Sequence, residues 1–201
     1  MLPLVYFLVK LFLVLAPLAM AADLAPLLDR VEKRYNRAAT LEVKFVETYG
    51  HKGRAQRQEA GKLYLRKPGR MRWEYAAPAG KLFLSDGKNF YLVSPGSPQA
   101  EKMKASEADD MRAPLAFLLG KLHFEKEFQG ITSREEGADT WIAAEPRSGN
   151  LPYTHVEFLV TPEARIRRVQ VTGQDQSILD FAFEQERLNP PLAAKMFEFR
   201  E

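Results

Sequence analysis

Three histidines, His51, His123 and His155, are the first residues to weigh for chemistry, and each stands alone. None belongs to an HExxH pair, none has a second histidine at ligand spacing, and the chain contains no cysteine to complete a metal site. His51 falls in the polar stretch HKGRAQRQEAG, read as a solvated loop, and His155 alternates with Val156 on an expected strand, where it faces solvent. Ser85-Asp86-Gly87 with a distant histidine has the residue types of a hydrolytic set. The same three residues make a β-turn in which Asp86 caps the backbone and Gly87 takes a positive φ, and this is the simpler reading. The adjacent carboxylates Asp109-Asp110 and Glu135-Glu136 lie in polar stretches and read as solvated. No GxSxG elbow, phosphate-cradling glycine loop or dinucleotide fingerprint occurs. The expectation is a protein that is not an enzyme and holds neither metal nor cofactor.

Binding chemistry has one more candidate. Arg66, Lys67, Arg70 and Arg72 lie beside Tyr64, Trp73 and Tyr75, the residue types that track phosphates and stack on bases. Alternation argues against nucleic acid, because it sets Arg70 and Arg72 on the face opposite Met71, Trp73 and Tyr75. A stacking platform needs both kinds on one face. The net charge of +3 is also too small to imply a nucleic-acid partner.

The elements that carry these residues are mostly strands. A long apolar run ending in Ala19-Met20-Ala21 reads as an export signal over residues 1–21, with an uncleaved anchor as the alternative because Lys10 sits inside the run. Residues 22–201 then read as a single exported domain without disulfides. Leu24, Leu27, Leu28, Val31 and Tyr35 recur at helical spacing. From Leu41 the period becomes two: Leu41, Val43 and Phe45, then Leu63 and Leu65, then Met71, Trp73 and Tyr75, the last two runs joined by the turn Lys67-Pro68-Gly69. Further strands are expected at 81–85, 89–93, 124–130, 140–144, 153–160, 165–172 and 177–187, with 95–110 as a loop and Met111–Leu122 as a short apolar helix. The fold class is mainly β: an antiparallel sheet of about ten to eleven strands, too wide to stay flat, whose concave face short helices must cover.

Residues 61–99, GKLYLRKPGRMRWEYAAPAGKLFLSDGKNFYLVSPGSPQ, resemble the signature of the LolA family, periplasmic carriers of outer-membrane lipoproteins. APLAFLLG is similar to that family's lid helix, and WIAAEP and ILDFAFEQERLNPPLAAKMFEF are similar to its later strands and aromatic C-terminal segment. The resemblance covers residues 24–201. It implies a monomeric carrier with an incomplete β-barrel closed by helices over an apolar cavity. Its cargo would be acylated lipoproteins, taken from an inner-membrane ABC-type transporter and passed to an outer-membrane acceptor lipoprotein. It also implies a latch: family members carry an arginine before the turn proline that hydrogen-bonds the lid, and here that position is Lys67, with Arg66 one place earlier. A carrier of another lipid and a lipid-sensing module on the same fold are the alternatives.

Candidate cavity-lining residues are Leu28, Val31 and Tyr35 from the helix, Val43, Phe45, Leu63, Leu65, Met71, Trp73 and Tyr75 from the strands, and Leu115, Phe117 and Leu118 from the lid. Each would serve equally well in a solid core, and periodicity does not separate the two.

Overall fold

The computed structural model describes residues 24–51, 54, 56–97, 99–104, 115 and 122–199. Helix α1 runs from Ala25 to Arg37, with a proline in its first turn and Arg34 and Arg37 in its last. Its buried stripe is Leu28, Val31 and Tyr35. Eleven strands follow: β1 (Thr40–His51), β2 (Arg57–Arg66), β3 (Arg70–Ala77), β4 (Leu82–Asp86), β5 (Asn89–Val93), β6 (Glu101–Lys104), β7 (Phe128–Glu136), β8 (Asp139–Pro146), β9 (Tyr153–Val160), β10 (Ile166–Gly173) and β11 (Ser177–Leu188). A one-turn helix α2 (Phe124–Glu127) precedes β7, and a 3-10 turn occupies Ala194–Phe197.

All eleven strands form one antiparallel sheet in the order β6-β5-β4-β3-β2-β1-β11-β10-β9-β8-β7. Two meanders, β1 to β6 and β7 to β11, are therefore joined where β1 pairs with β11. The outer strands β6 and β7 do not pair with each other, so the barrel is incomplete. One face is continuously apolar. Val43, Phe45, Leu63, Trp73, Phe158, Val169 and Phe181 all belong to one buried cluster, with Leu28, Val31 and Tyr35 of α1 packed on it. Phe45 meets Trp73 edge-on at 4.8 Å, and Trp73 lies 5.1 Å from Phe181 across the β1–β11 seam.

The expected strand at 124–130 is two elements. Phe124–Glu127 form α2 because the Glu32 carboxylate on α1 accepts the Phe124 N–H at 2.7 Å, and the i, i+4 pair Phe124 and Phe128 then packs on Phe158. The expected loop at 95–110 contains β6, whose Met103 sits opposite Phe90; its lysines and glutamate suit an exposed edge. His51 ends β1 rather than lying in a loop, and its pairing partner is Ser177. Of Met111–Leu122, only Leu115 and Leu122 are described, and both are buried; Phe117 and Leu118 lie outside the described residues.

Two glycines shape the sheet near its centre. Gly69, at φ +64, closes the β2–β3 turn. Gly61 sits where the β2–β3 register slips, and a Cβ there would meet the Glu74 carbonyl oxygen at 2.1 Å.

Candidate functional site

The candidate site is the buried apolar face of the sheet and the helix over it. Alternation on β1, β2 and β3 turns Val43, Phe45, Leu63, Leu65, Met71, Trp73 and Tyr75 inward, and all are 4% exposed or less. With Leu28, Val31, Tyr35 and Leu115 they form part of a single cluster, so eleven of the thirteen lining residues expected from the sequence meet on one surface. In this closed form side chains fill that surface. A ligand taken up there must displace α1 or its neighbours.

Polar contacts hold α1 down at identifiable points. The Tyr35 hydroxyl donates to Glu186 Oε2 at 2.6 Å and accepts the Ile166 N–H at 2.9 Å. Arg34 reaches the other oxygen of Glu186 at 2.5 and 3.2 Å. Burial, and then the Glu186 charge, push the Tyr35 hydroxyl well above its usual range, so it remains a donor at every physiological pH. Lys67 Nζ donates to the Tyr35 and Asn36 carbonyls at 2.7 and 3.0 Å, placing a cation on the open C-terminal end of α1. Asn36 in turn clasps Leu122: its amide donates to the Leu122 carbonyl at 2.8 Å and its oxygen accepts the Leu122 N–H at 2.6 Å. Lys67 is thus linked through Asn36 to Leu122. Arg66 points elsewhere, to the Leu192 carbonyl at 2.9 Å.

Glu186 is not announced by the sequence, and the reason is local. Gln185 adopts φ +55 at a register slip opposite β1, which adds a residue to β11 and turns Glu186 toward the helix. Glu47 and Glu59, opposite each other on β1 and β2, are also absent from the expected site, and both are 4% exposed. Glu47 accepts the Tyr75 hydroxyl at 2.8 Å, while Glu59 pairs with Lys81 and Arg57. Continuing the Leu41-Val43-Phe45 alternation by one step would have found Glu47.

Trp73 has a different character. Its ring is fully buried, and its indole N–H finds no acceptor among the described residues. Such an orphan donor costs about 1–3 kcal/mol. The other tryptophan, Trp141, donates to Glu136 at 2.8 Å.

The histidines are scattered. His51 lies 4.0 Å from Asp175 and His123 3.4 Å from Glu32, and among the described residues no three metal-ligating side chains gather. In the Ser85-Asp86-Gly87 turn, Asp86 accepts the Lys88 and Asn89 N–H groups, both at 2.7 Å, and Gly87 has φ +94. Partial burial opposes ionisation of Asp86, but those N–H donors, the Asn89 amide and the Tyr91 hydroxyl outweigh it and hold its pKa at about 2.

An open cleft of about 530 Å³ lies on the opposite side of the sheet, around Gly61. Its lining comes from Lys44 to Val46, Ala60, Lys62, Tyr64, Glu74 to Ala76, Ala182 and Glu184, so it also reaches Phe45 and Tyr75 of the inner face. Its rim is charged, whereas the inner face is closed and apolar.

The family model described as outer membrane lipoprotein carrier protein LolA matches residues 36–200. A protein of Bordetella avium named outer-membrane lipoprotein carrier protein is 27% identical over 154 residues, 76% of this chain and 72% of that relative. A protein of the same name from Pseudomonas aeruginosa is 28% identical over 195 residues, 93% of this chain and 92% of that one. Among solved structures, a DUF1329 family protein from Desulfovibrio piger superposes with a TM-score of 0.54 at 11% identity, covering 87% of this chain and 97% of that chain.

Proposed function

The chain belongs to the LolA family, and from that premise we propose that it is a periplasmic carrier that buries the acyl chains of lipoproteins against its concave face and conveys them to the outer membrane. The observation that carries this reading is the continuous apolar surface of the unclosed sheet, covered by a helix held down through a few polar contacts. Residues 1–21 act as the export leader. An inner-membrane ABC-type transporter supplies the cargo and an outer-membrane acceptor lipoprotein receives it.

The physical demand is large. Each methylene moved from water into an apolar interior contributes about 0.8 kcal/mol, so a sixteen-carbon chain exposed to water costs about 12 kcal/mol. Free diffusion of an acylated protein through an aqueous compartment is thereby excluded, and a carrier must supply the apolar surface. It must also release it. Aromatic rings and a methionine, as at Phe45, Met71, Trp73 and Phe181, give a surface that adapts to chains sharing little but their hydrocarbon. Opening means lifting α1 away from the sheet, with Lys67, Asn36 and Glu186 as the contacts that must let go.

The test is native mass spectrometry of residues 22–201 with a purified triacylated lipoprotein and with its unacylated form. One-to-one binding confined to the acylated form is expected. Equal binding to both, or to neither, would overturn the carrier reading, and binding of a free lipid in place of the lipoprotein would favour a carrier of another lipid.

A further inference from the structure

Both tryptophans of the chain are buried, yet only one has its indole N–H satisfied among the described residues. Trp141 on β8 donates to Glu136. Trp73 sits at mid-height of the inner face, level with Leu63 on β2 and Phe83 on β4, and between Phe45 and Phe181. It is 0% exposed, and its N–H has no acceptor among the described residues. Buried polar groups are nearly always paired, so an orphan donor in the middle of a binding face calls for an explanation.

A resident water does not provide one. A buried water needs two to four polar partners, and the side chains that flank Trp73, those of Phe45, Leu63, Phe83 and Phe181, are hydrocarbon. The missing acceptor must arrive on a molecule that is otherwise apolar. An acyl ester fits: hydrocarbon on one side, a carbonyl oxygen at its head.

We propose that the Trp73 indole N–H is the polar contact by which this protein recognises the ester carbonyl of a bound acyl chain. The proposal rests on the carrier reading and adds to it a chemical preference, for acyl esters over hydrocarbon chains of equal length. The Phe45, Leu63 and Phe181 surfaces bind chain without regard to its head, whereas Trp73 distinguishes heads. Its donor is left unsatisfied in the closed form and becomes satisfied on loading, so the contact favours the loaded form specifically.

The experiment compares a short-chain diester phosphatidylcholine with its diether analogue, which keeps the chains and head group but lacks both carbonyls. Each is titrated into the protein labelled with nitrogen-15. The Trp73 indole proton should move downfield with the diester and not with the diether, while Trp141, already bonded to Glu136, stays in place. The diester should bind about five- to tenfold more tightly, the worth of one net hydrogen bond. In Trp73→Phe that preference should vanish, leaving both lipids at the diether affinity. Because the wild-type spectra stand alone, poor folding of the variant would not rescue the idea. Equal affinity and equal Trp73 shifts for both lipids would overturn it while leaving the carrier reading intact. Failure to bind either lipid would also overturn it, and the carrier reading would fall with it only if the triacylated lipoprotein failed to bind as well.

Discussion

Replacing Tyr35 by Phe removes one oxygen from the interface between α1 and the sheet and leaves the ring in place. Two bonds go with it. The first is the 2.6 Å hydrogen bond to Glu186, whose carboxylate side chain is only 5% exposed; a bond to a charged, buried acceptor contributes about 1.5–3 kcal/mol. The second is the 2.9 Å bond from the Ile166 N–H, a donor that would then be buried without a partner at a cost of about 1–3 kcal/mol. Arg34 continues to neutralise Glu186, which limits the loss, so Tyr35→Phe should destabilise the protein by about 3 kcal/mol. With a urea slope of about 2 kcal/mol per M for a chain of this size, the unfolding midpoint should fall by about 1.5 M at unchanged slope. The amides of α1 should exchange with solvent faster than those of β1 and β11, because the helix is what the hydroxyl ties down. A midpoint within about 0.2 M of wild type would show that the Tyr35-Glu186-Ile166 contacts do not hold the helix, and the account of closure would fail with them.

Lys67→Met should cost about 1–2 kcal/mol, since it strips a cation from two carbonyls at the end of α1, and hydrogen exchange should report the loosening at that end of the helix first. Asp86→Asn should lose about 1 kcal/mol near neutral pH, well below the full worth of the pKa shift because the group is largely solvated. The sign follows from a folded pKa of about 2 against an ordinary 3.8: ionised Asp86 favours the folded state above pH 4, and the difference between wild type and variant should disappear as the pH falls from 4 toward 2 in acid-unfolding curves. Gly61→Ala should destabilise by about 2–3 kcal/mol in thermal unfolding, because its Cβ meets backbone at 2.1 Å and no side-chain rotation relieves the clash.

The inner face is legible in the sequence because a strand with one buried side writes itself as alternation. Met71, Trp73 and Tyr75 on β3 need only their own segment to be placed, as do Val43 and Phe45 on β1. What the sequence hides depends on residues far away in the chain. α2 exists because Glu32, on another helix, caps Phe124, and no property of 124–130 announces that. The pairing of β1 with β11, which fuses the two meanders, joins opposite ends of the domain through register alone. Glu186 reads as the wet side of β11 because Gln185 looks like any other strand residue, and its positive φ is visible only in three dimensions. Orphaned donors belong to the same class: Trp73 and Trp141 are alike in sequence, and only their surroundings tell them apart.

The central claim is that acyl chains lie on the concave face, and a lipoprotein with diazirines on its acyl chains tests it directly. After irradiation, crosslinks mapped by peptide mass spectrometry should fall on Leu63, Trp73 and Phe181 of the inner face. Crosslinks concentrated instead on Val46, Tyr64, Ala76 and Ala182, around the open cleft on the other side of the sheet, would contradict the account.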